Sequence, residues 1–371
     1  MNKEKNFAED YLTQRFYKLN FCVTVILVLA IFVSVYQFGY QTWQVQKQVA
    51  LIIPGVKENA GWDRSQYSAV KSVCDESGFS LVLRENVPAD YASCKKVVDE
   101  LSKGGVTAIC FTNGCKLSDL KDFEKQYPRI SFCTIESISA LWNGGSYSIL
   151  SFEGSYLAGI LAGLHTKTNK IGYVAPFLDS EVNQGINAFT LGVQRVNPDA
   201  EVLLDWTGSW ESAASDEQAV QNLKAQSVDV LTYHENGATV PNTAERAGIF
   251  FIAFNEVYPN HNYYLGSIKI DWKSVYSEIL RYSKSLGNGL HNTYGISQKI
   301  VDLTVTNKLS TREKVLVETA KWELQHGRII FGGDIFDRNG IRKCSANETI
   351  SFQKLRRNMN WLVKGVKIVG T

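Results

Sequence analysis

Short apolar runs of strand length recur along this chain between segments of helical periodicity, and that alternation constrains its fold more than any other feature. Such runs stand at 50–53, 80–83, 106–111 and 130–134. Strands alternating with helices predict a parallel sheet covered on both faces. The pattern then restarts within 153–192, which reads as a small-residue helix over 156–166, a Lys-Thr-Asn-Lys turn, a strand over 171–175 and a helix from about Val182. Its glycines and alanines would let that first helix lie close against a sheet. Further apolar runs follow at 201–206, 228–234, 249–255 and 265–270. A chain of 371 residues exceeds one ordinary core. Two doubly wound lobes in tandem are expected, with a cleft between them lined by the carboxyl ends of their strands.

Charge and motifs exclude several function classes. A formal net charge of +2 offers no bulk attraction for nucleic acid, and no basic tract interleaved with aromatics occurs. There is no G-x-S-x-G elbow, P-loop, HExxH or CxxC, and Gly287-Asn288-Gly289 lacks the third glycine of a dinucleotide fingerprint. Asp337-Arg338-Asn339-Gly340 lacks the alternating acids of a calcium loop and reads as a hairpin turn. Neither enzymatic activity, a metal nor a cofactor is expected.

Between Lys18 and Lys47 no side chain carries a full charge, and 21–40 is almost wholly apolar. At 1.5 Å per residue that run spans the roughly 30 Å of a bilayer core. A cleaved leader would also suit it, but the run closes on Tyr36, Phe38 and Tyr40, which make no small-residue cleavage site. Lys3, Lys5, Arg15 and Lys18 precede the run, which predicts a cytoplasmic tail over 1–20, a transmembrane anchor over 21–40 and a linker over 41–48. Residues 49–371 would then face the periplasm or exterior, where disulfides persist. Cys74, Cys94, Cys110, Cys115 and Cys133 all fall in the first lobe. Cys110 or Cys115 with Cys133 is the pair that neighbouring strands favour; small buried hydrophobes are the other reading.

The fragments GWDRSQYSA (61–69), ENVP (85–88), FEGSYLAG (152–159), KIGYVA (170–175), INAFTLG (186–192), VNPDAEV (196–202), WTGSW (206–210) and MNWLVKGV (359–366) occur in an order and spacing that resembles the basic membrane protein family of ABC-transporter substrate-binding proteins. The resemblance runs from about residue 49 to the C-terminus. It implies an α/β, type I periplasmic-binding-protein fold: two doubly wound parallel-sheet lobes with a hinge, here preceded by one transmembrane helix. Lobe 1 would hold about 49–165 plus returning segments after 265, and lobe 2 about 170–262 plus part of the C-terminal region. Many relatives carry a lipoprotein cysteine just after the apolar run, whereas the nearby Cys22 lies at its start.

Strand ends nominate the ligand contacts. Trp62 follows the first strand, where an indole can stack on a flat heterocycle; Asp63 and Ser65 beside it are hydrogen-bonding candidates or helix caps. Phe152 and Glu153 sit near the first crossing between lobes, where Glu153 accepts from a ligand N–H or serves as a helix-start carboxylate. His234, Glu235 and Asn236 end one strand, and Asn255 and Glu256 the next. The resemblance favours Trp210 as a second aromatic jaw and leaves Trp206 packed beneath its turn. It also exposes departures: nucleoside-binding relatives have an Asp-rich turn at Asn255-Glu256, and a lysine three residues after a serine where Ser267 is followed by Ile268 and Lys269. Asp271 and Trp272 resemble a subgroup with an Asn-Trp pair, which suits a nucleobase without sugar. The expected ligand is therefore a purine nucleobase or nucleoside, and the expected partner an ABC permease. The alternative is a ligand sensor read by a membrane partner.

Overall fold

The computed structural model describes residues 16–34, 47–135, 144–282 and 290–370. Residues 1–47 and 48–371 form separate units. In the first, helix α1 (Phe16–Ser34) is long and apolar enough to cross a membrane. The expected span at 21–40 overlaps it through Ser34, and the rest of that span, most of the expected tail and nearly all of the linker lie outside the described residues.

The second unit holds two sheets. The first combines β1 (Gln48–Ile52), β2 (Ser80–Arg84), β3 (Val106–Phe111), β4 (Ser131–Ile135), β5 (Gly144–Ile149) and a late strand, β11 (Leu290–Tyr294), in the order β11-β5-β4-β3-β1-β2. Every pairing in it is parallel. The second combines β6 (Lys170–Ala175), β7 (Glu201–Trp206), β8 (Val230–Tyr233), β9 (Phe250–Phe254), β10 (Tyr264–Ile270), β12 (Val301–Val305) and β15 (Val366–Ile368), in the order β12-β10-β9-β8-β6-β7-β15. Only β12 runs antiparallel to its neighbour. The small hairpin of β13 (Ile335–Phe336) and β14 (Arg342–Cys344) turns through Asp337, whose Oδ1 accepts from the backbone N–H of Asn339 and Ile341.

Helices cover both faces of each sheet, so the strands are apolar without alternation. One face of lobe 1 packs on α2 (Trp62–Ser77) and α9 (Trp272–Tyr282), the other on α3 (Tyr91–Lys103) and α4 (Leu117–Gln126). In lobe 2, α5 (Ser151–His165) and α6 (Ser180–Val196) cover one face, α7 (Ala213–Ala225) and α8 (Thr239–Ala247) the other. Two expectations shift here. The small-residue helix α5 belongs with the second sheet, and its glycines serve two approaches: a Cβ on Gly154 would stand 2.6 Å from Ile268 of β10, as a close helix–sheet contact requires, whereas one on Gly159 would stand 1.9 Å from the Phe189 carbonyl oxygen of α6. Strand β10 also stays in lobe 2, so the chain returns to lobe 1 only after residue 270.

Three segments cross between the lobes, and they hold one another. The Leu150 N–H donates to Tyr294 O at 2.7 Å, and the Asp271 N–H donates to Ile300 O at 2.8 Å. Glu153 Oε2 accepts from the Ile296 N–H at 2.7 Å. Helices α10 (Thr311–Gln325) and α11 (Phe352–Asn358) then pack on α5 and α6.

Candidate ligand-binding cleft

A cavity of about 390 Å³ lies between the lobes, within the ~300–1,000 Å³ usual for small-ligand sites. Its walls are the loops at the carboxyl ends of both sheets. Lobe 1 contributes Pro54 and Gly55 after β1, Trp62 and Asp63 at the start of α2, and Thr112, Asn113 and Gly114 after β3. Lobe 2 contributes Trp210 and Glu211 after β7, His234, Glu235 and Asn236 after β8, and Asn255 after β9. Trp272 lines it where the chain re-enters lobe 1.

The aromatic walls are braced from behind. The Trp62 indole N–H donates to Thr112 O at 3.0 Å, and the ring stands edge-on to Trp272 at 5.3 Å. In lobe 2, Trp210 is 41% exposed and packs edge-on against Phe177 and His234. His234 in turn lies 4.9 Å from Phe254. Burial lowers the His234 pKa to about 4, so near neutral pH it presents an uncharged imidazole.

The polar groups are buried and incompletely paired. Asp63 Oδ1, Glu235 Oε2, Asn255 Oδ1 and Trp272 Nε1 have no hydrogen-bond partner among the described residues. A buried polar atom left in this state costs free energy that a ligand can recover. Asp63 and Asn255 present acceptors, while Trp272 and the protonated Glu235 carboxyl present donors, which calls for a flat ligand carrying both N–H groups and acceptor atoms. Asn255 holds a left-handed backbone (φ 61°), a conformation asparagine tolerates better than most residues. Burial raises Asp63 to about 6, against the Gly55 N–H and the Asn59 amide that favour its charged form. Burial likewise raises Glu235 to about 9, although the Thr207 hydroxyl donates to its Oε1 at 2.7 Å.

That shift has a measurable consequence. A carboxyl that titrates near 4.5 in the unfolded chain and near 9 in the folded one keeps its proton longer when folded. Stability therefore falls as pH rises from about 4.5 to about 9. Glu235→Gln is expected to gain in thermal midpoint relative to the parent across that window. A constant offset from pH 5 to 9 would show that Glu235 ionises as an ordinary carboxylate.

Of the residues the sequence nominates, Trp62, Asp63, Trp210, His234, Glu235, Asn236, Asn255 and Trp272 line the cavity. Phe152, Glu153, Glu256 and Asp271 do not. Phe152 is buried against Phe331 and Phe352, and Glu153 ties two interlobe crossings together. Asp271 accepts from the Ser274 N–H and hydroxyl in the first turn of α9. Glu256 accepts from the Gly61 N–H at 3.1 Å and faces Arg64 at 3.8 Å, across the mouth of the cleft. It has company there: Asn59 Nδ2 donates to Glu211 Oε2, the Trp62 N–H to Asn236 Oδ1, and the Gly237 N–H to Ala60 O. These bonds latch the loop after β1 to lobe 2. Lys269 donates to Asn255 O, behind the cavity wall. Sequence reasoning passed over Thr112, Asn113 and Glu181, although the strand-end rule applied to 106–111 points to the first two.

Comparison with known proteins agrees with this architecture. A family model described as "ABC transporter substrate-binding protein PnrA-like" matches residues 46–330. A purine-binding protein of Brucella abortus is 25% identical over 328 residues, covering 86% of this chain and 92% of its own. A putative ABC transporter glucose-binding protein of Haloferax volcanii is 28% identical over 189 residues, 50% of this chain and 48% of its own. Among solved structures, an ABC transporter solute-binding protein from Conexibacter woesei superposes with a TM-score of 0.64 at 16% identity, covering 76% of this chain and 97% of that one.

Proposed function

This chain belongs to the PnrA-like family of ABC transporter substrate-binding proteins, and on that premise we propose that its cleft captures a purine nucleobase or nucleoside outside the cytoplasm for an ABC permease. The family binds solutes and catalyses no reaction. The observation that carries the ligand class is the pairing of indole walls from Trp62, Trp210 and Trp272 with unpartnered acceptors on Asp63 and Asn255. Flat rings stack on the first, and ring or exocyclic N–H groups satisfy the second. The purine-binding name of the Brucella relative supports the same class. Helix α1 serves in this reading as the membrane tether, with the lobes on the outer side.

Binding works by population shift. An open form loads, and a ligand touching both lobes favours closure in proportion to its differential affinity for the closed state. The latch from the Gly61 loop to Asn236, Gly237 and Glu256 adds contacts of its own to that state.

Titration calorimetry and tryptophan fluorescence with adenine, guanine, adenosine, inosine and glucose test the proposal. Binding of a purine supports it; saturable binding of glucose alone overturns the ligand class. Base stacking contributes ~1–3 kcal/mol per aromatic, so Trp62→Ala is expected to weaken purine binding about 5–150-fold. Parent-like affinity in that variant would remove Trp62 from the contact. The transporter role predicts that deleting the protein abolishes uptake of radiolabelled adenine. Unchanged uptake with a lost transcriptional response would favour the sensor.

A further inference from the structure

Five buried cysteines sit in lobe 1, and the binding reading uses none of them. Four are arranged in pairs. Cys110 of β3 and Cys133 of β4 are register partners in adjacent parallel strands, with their sulfurs 2.9 Å apart. Adjacent strands lie about 4.7–4.9 Å apart, inside the ~4.4–6.8 Å Cα separation a disulfide accepts. Cys115, just beyond β3, lies beside Cys94 in the first turn of α3, with one asparagine touching both. Asn113 binds both members of that second pair: its Nδ2 donates to Cys94 Sγ at 3.5 Å, and its Oδ1 accepts from the Cys115 N–H at 3.3 Å.

We propose that Cys94–Cys115 and Cys110–Cys133 are two disulfide sites that clamp β3 and the cavity loop behind it. The residues between them, Thr112, Asn113 and Gly114, line the ligand cavity. One bridge anchors that loop to α3 and the other anchors its strand to β4. That the bridges form in the living cell rests on the extracytoplasmic placement proposed above, because thiols in the cytoplasm are kept reduced.

The chemistry is thiol–disulfide exchange with a small-molecule disulfide as oxidant. The neighbouring Cys115 thiol and the Asn113 amide hold the Cys94 thiol below its usual range, which favours Cys94 as the attacker. Its thiolate displaces one thiolate from the oxidant and forms a mixed disulfide. Cys115, on losing its proton, attacks the Cys94 sulfur and releases the second thiolate. Two electrons pass to the oxidant, two protons leave the protein, and the oxidant ends as two thiols. The same sequence at Cys110 and Cys133 proceeds before the lobe closes over them.

The test is peptide mapping. Purified protein is unfolded and refolded in a buffer of oxidised and reduced glutathione, alkylated under denaturing conditions, then digested with trypsin without reductant. Cys110 and Cys115 lie on one tryptic peptide, 104–116, with Cys94 on 85–95 and Cys133 on 130–167. The expected product is a three-peptide cluster, with Cys22, Cys74 and Cys344 alkylated. Alkylation of all seven cysteines, or a bridge to Cys74, would overturn the pairing. Fragmentation of the cluster between Cys110 and Cys115 is expected to leave 130–167 on Cys110 and 85–95 on Cys115, the reverse assignment overturning the pairing. Cys133→Ser is expected to lose the link to 130–167 and leave Cys110 alkylated, and the parent's map stands on its own if that variant fails to fold. Reducing both bridges is expected to lower the thermal midpoint by about 5–10 °C. Protein from cells treated with N-ethylmaleimide before lysis reports on location separately. A refolded sample that bridges beside a native sample that does not would leave the sites intact and move the lobes to a reducing compartment.

Discussion

Adenosine 5′-monophosphate is expected to bind at least a thousandfold more weakly than adenosine. Asp63, Glu181, Glu211 and Glu235 line the cavity, and no lysine or arginine does so among the described residues. The segment 136–143, ESISALWN, contains no basic residue either. A phosphate entering this space gives up water and finds no cation in exchange. At an effective dielectric of ~20, unit charges about 7 Å apart repel by ~2.4 kcal/mol. A near-dianion facing one ionised carboxylate therefore loses ~5 kcal/mol, which exceeds three decades in affinity. Glu235 contributes little to that repulsion near neutral pH, because burial keeps it protonated; Asp63, raised only to about 6, is mostly ionised. The comparison of adenosine with its monophosphate in one calorimetric buffer checks this directly. The argument concerns charge and not the purine, so it survives a change of solute: glucose and glucose 6-phosphate would differ in the same sense. Affinities within tenfold of each other would mean that the carboxylates do not face the ligand.

The same physics explains how much of the cleft the sequence disclosed. Strands buried on both faces leave continuous apolar runs, so β1, β3, β6 and β7 were legible to within two residues. Strand β5 was not, because it begins Gly144-Gly145, which reads as a turn. The structure gives these glycines a reason: a Cβ on Gly144 would fall 1.6 Å from Phe132 O, and one on Gly145 would strike the Tyr147 ring. Strand ends located Trp62, His234, Glu235 and Asn255, since a doubly wound lobe has few other places from which to reach a ligand, and the family resemblance added Trp210. The rule failed at the crossings. Glu153 and Asp271 stand close to the cleft in sequence, yet their carboxylates satisfy backbone N–H groups of the hinge and of α9. Which way a side chain turns at such a point depends on the segment beside it, and for Glu153 that segment arrives 143 residues later. Glu256 is the converse case. Its partner is the opposite lobe, which no reading of its own strand reveals.

Replacing Gly159 should do more damage than any change in the cavity. Helices α5 and α6 cross with their backbones in near contact, at two reciprocal positions: a Cβ on Gly159 would lie 1.9 Å from Phe189 O, and one on Gly192 would lie 2.1 Å from Tyr156 O. Neither neighbour can step aside by rotating a side chain, because the obstacle is main chain. Making room means separating the helices along a seam where Leu157, Leu161, Ile186, Phe189 and Val193 are fully buried. Overpacking a core costs about 1–3 kcal/mol where side chains can adjust, so Gly159→Ala is expected to exceed ~3 kcal/mol, and Gly159→Val to prevent accumulation of folded protein. The contrast is Gly208, where nothing lies within 4 Å of an added Cβ and only the positive φ of 76° resists substitution; Gly208→Ala should cost about 1 kcal/mol. Urea unfolding of the two alanine variants beside the parent separates the cases. The seam also bears on ligand capture, since Ser151 at the start of α5 and Glu181 at the start of α6 both line the cavity. A Gly159→Ala protein that folds should therefore bind its solute more weakly than the parent even where it remains stable. Unfolding within 1 kcal/mol of the parent would mean that the helices part readily, and that the seam neither holds lobe 2 together nor sets the spacing of those two cavity residues.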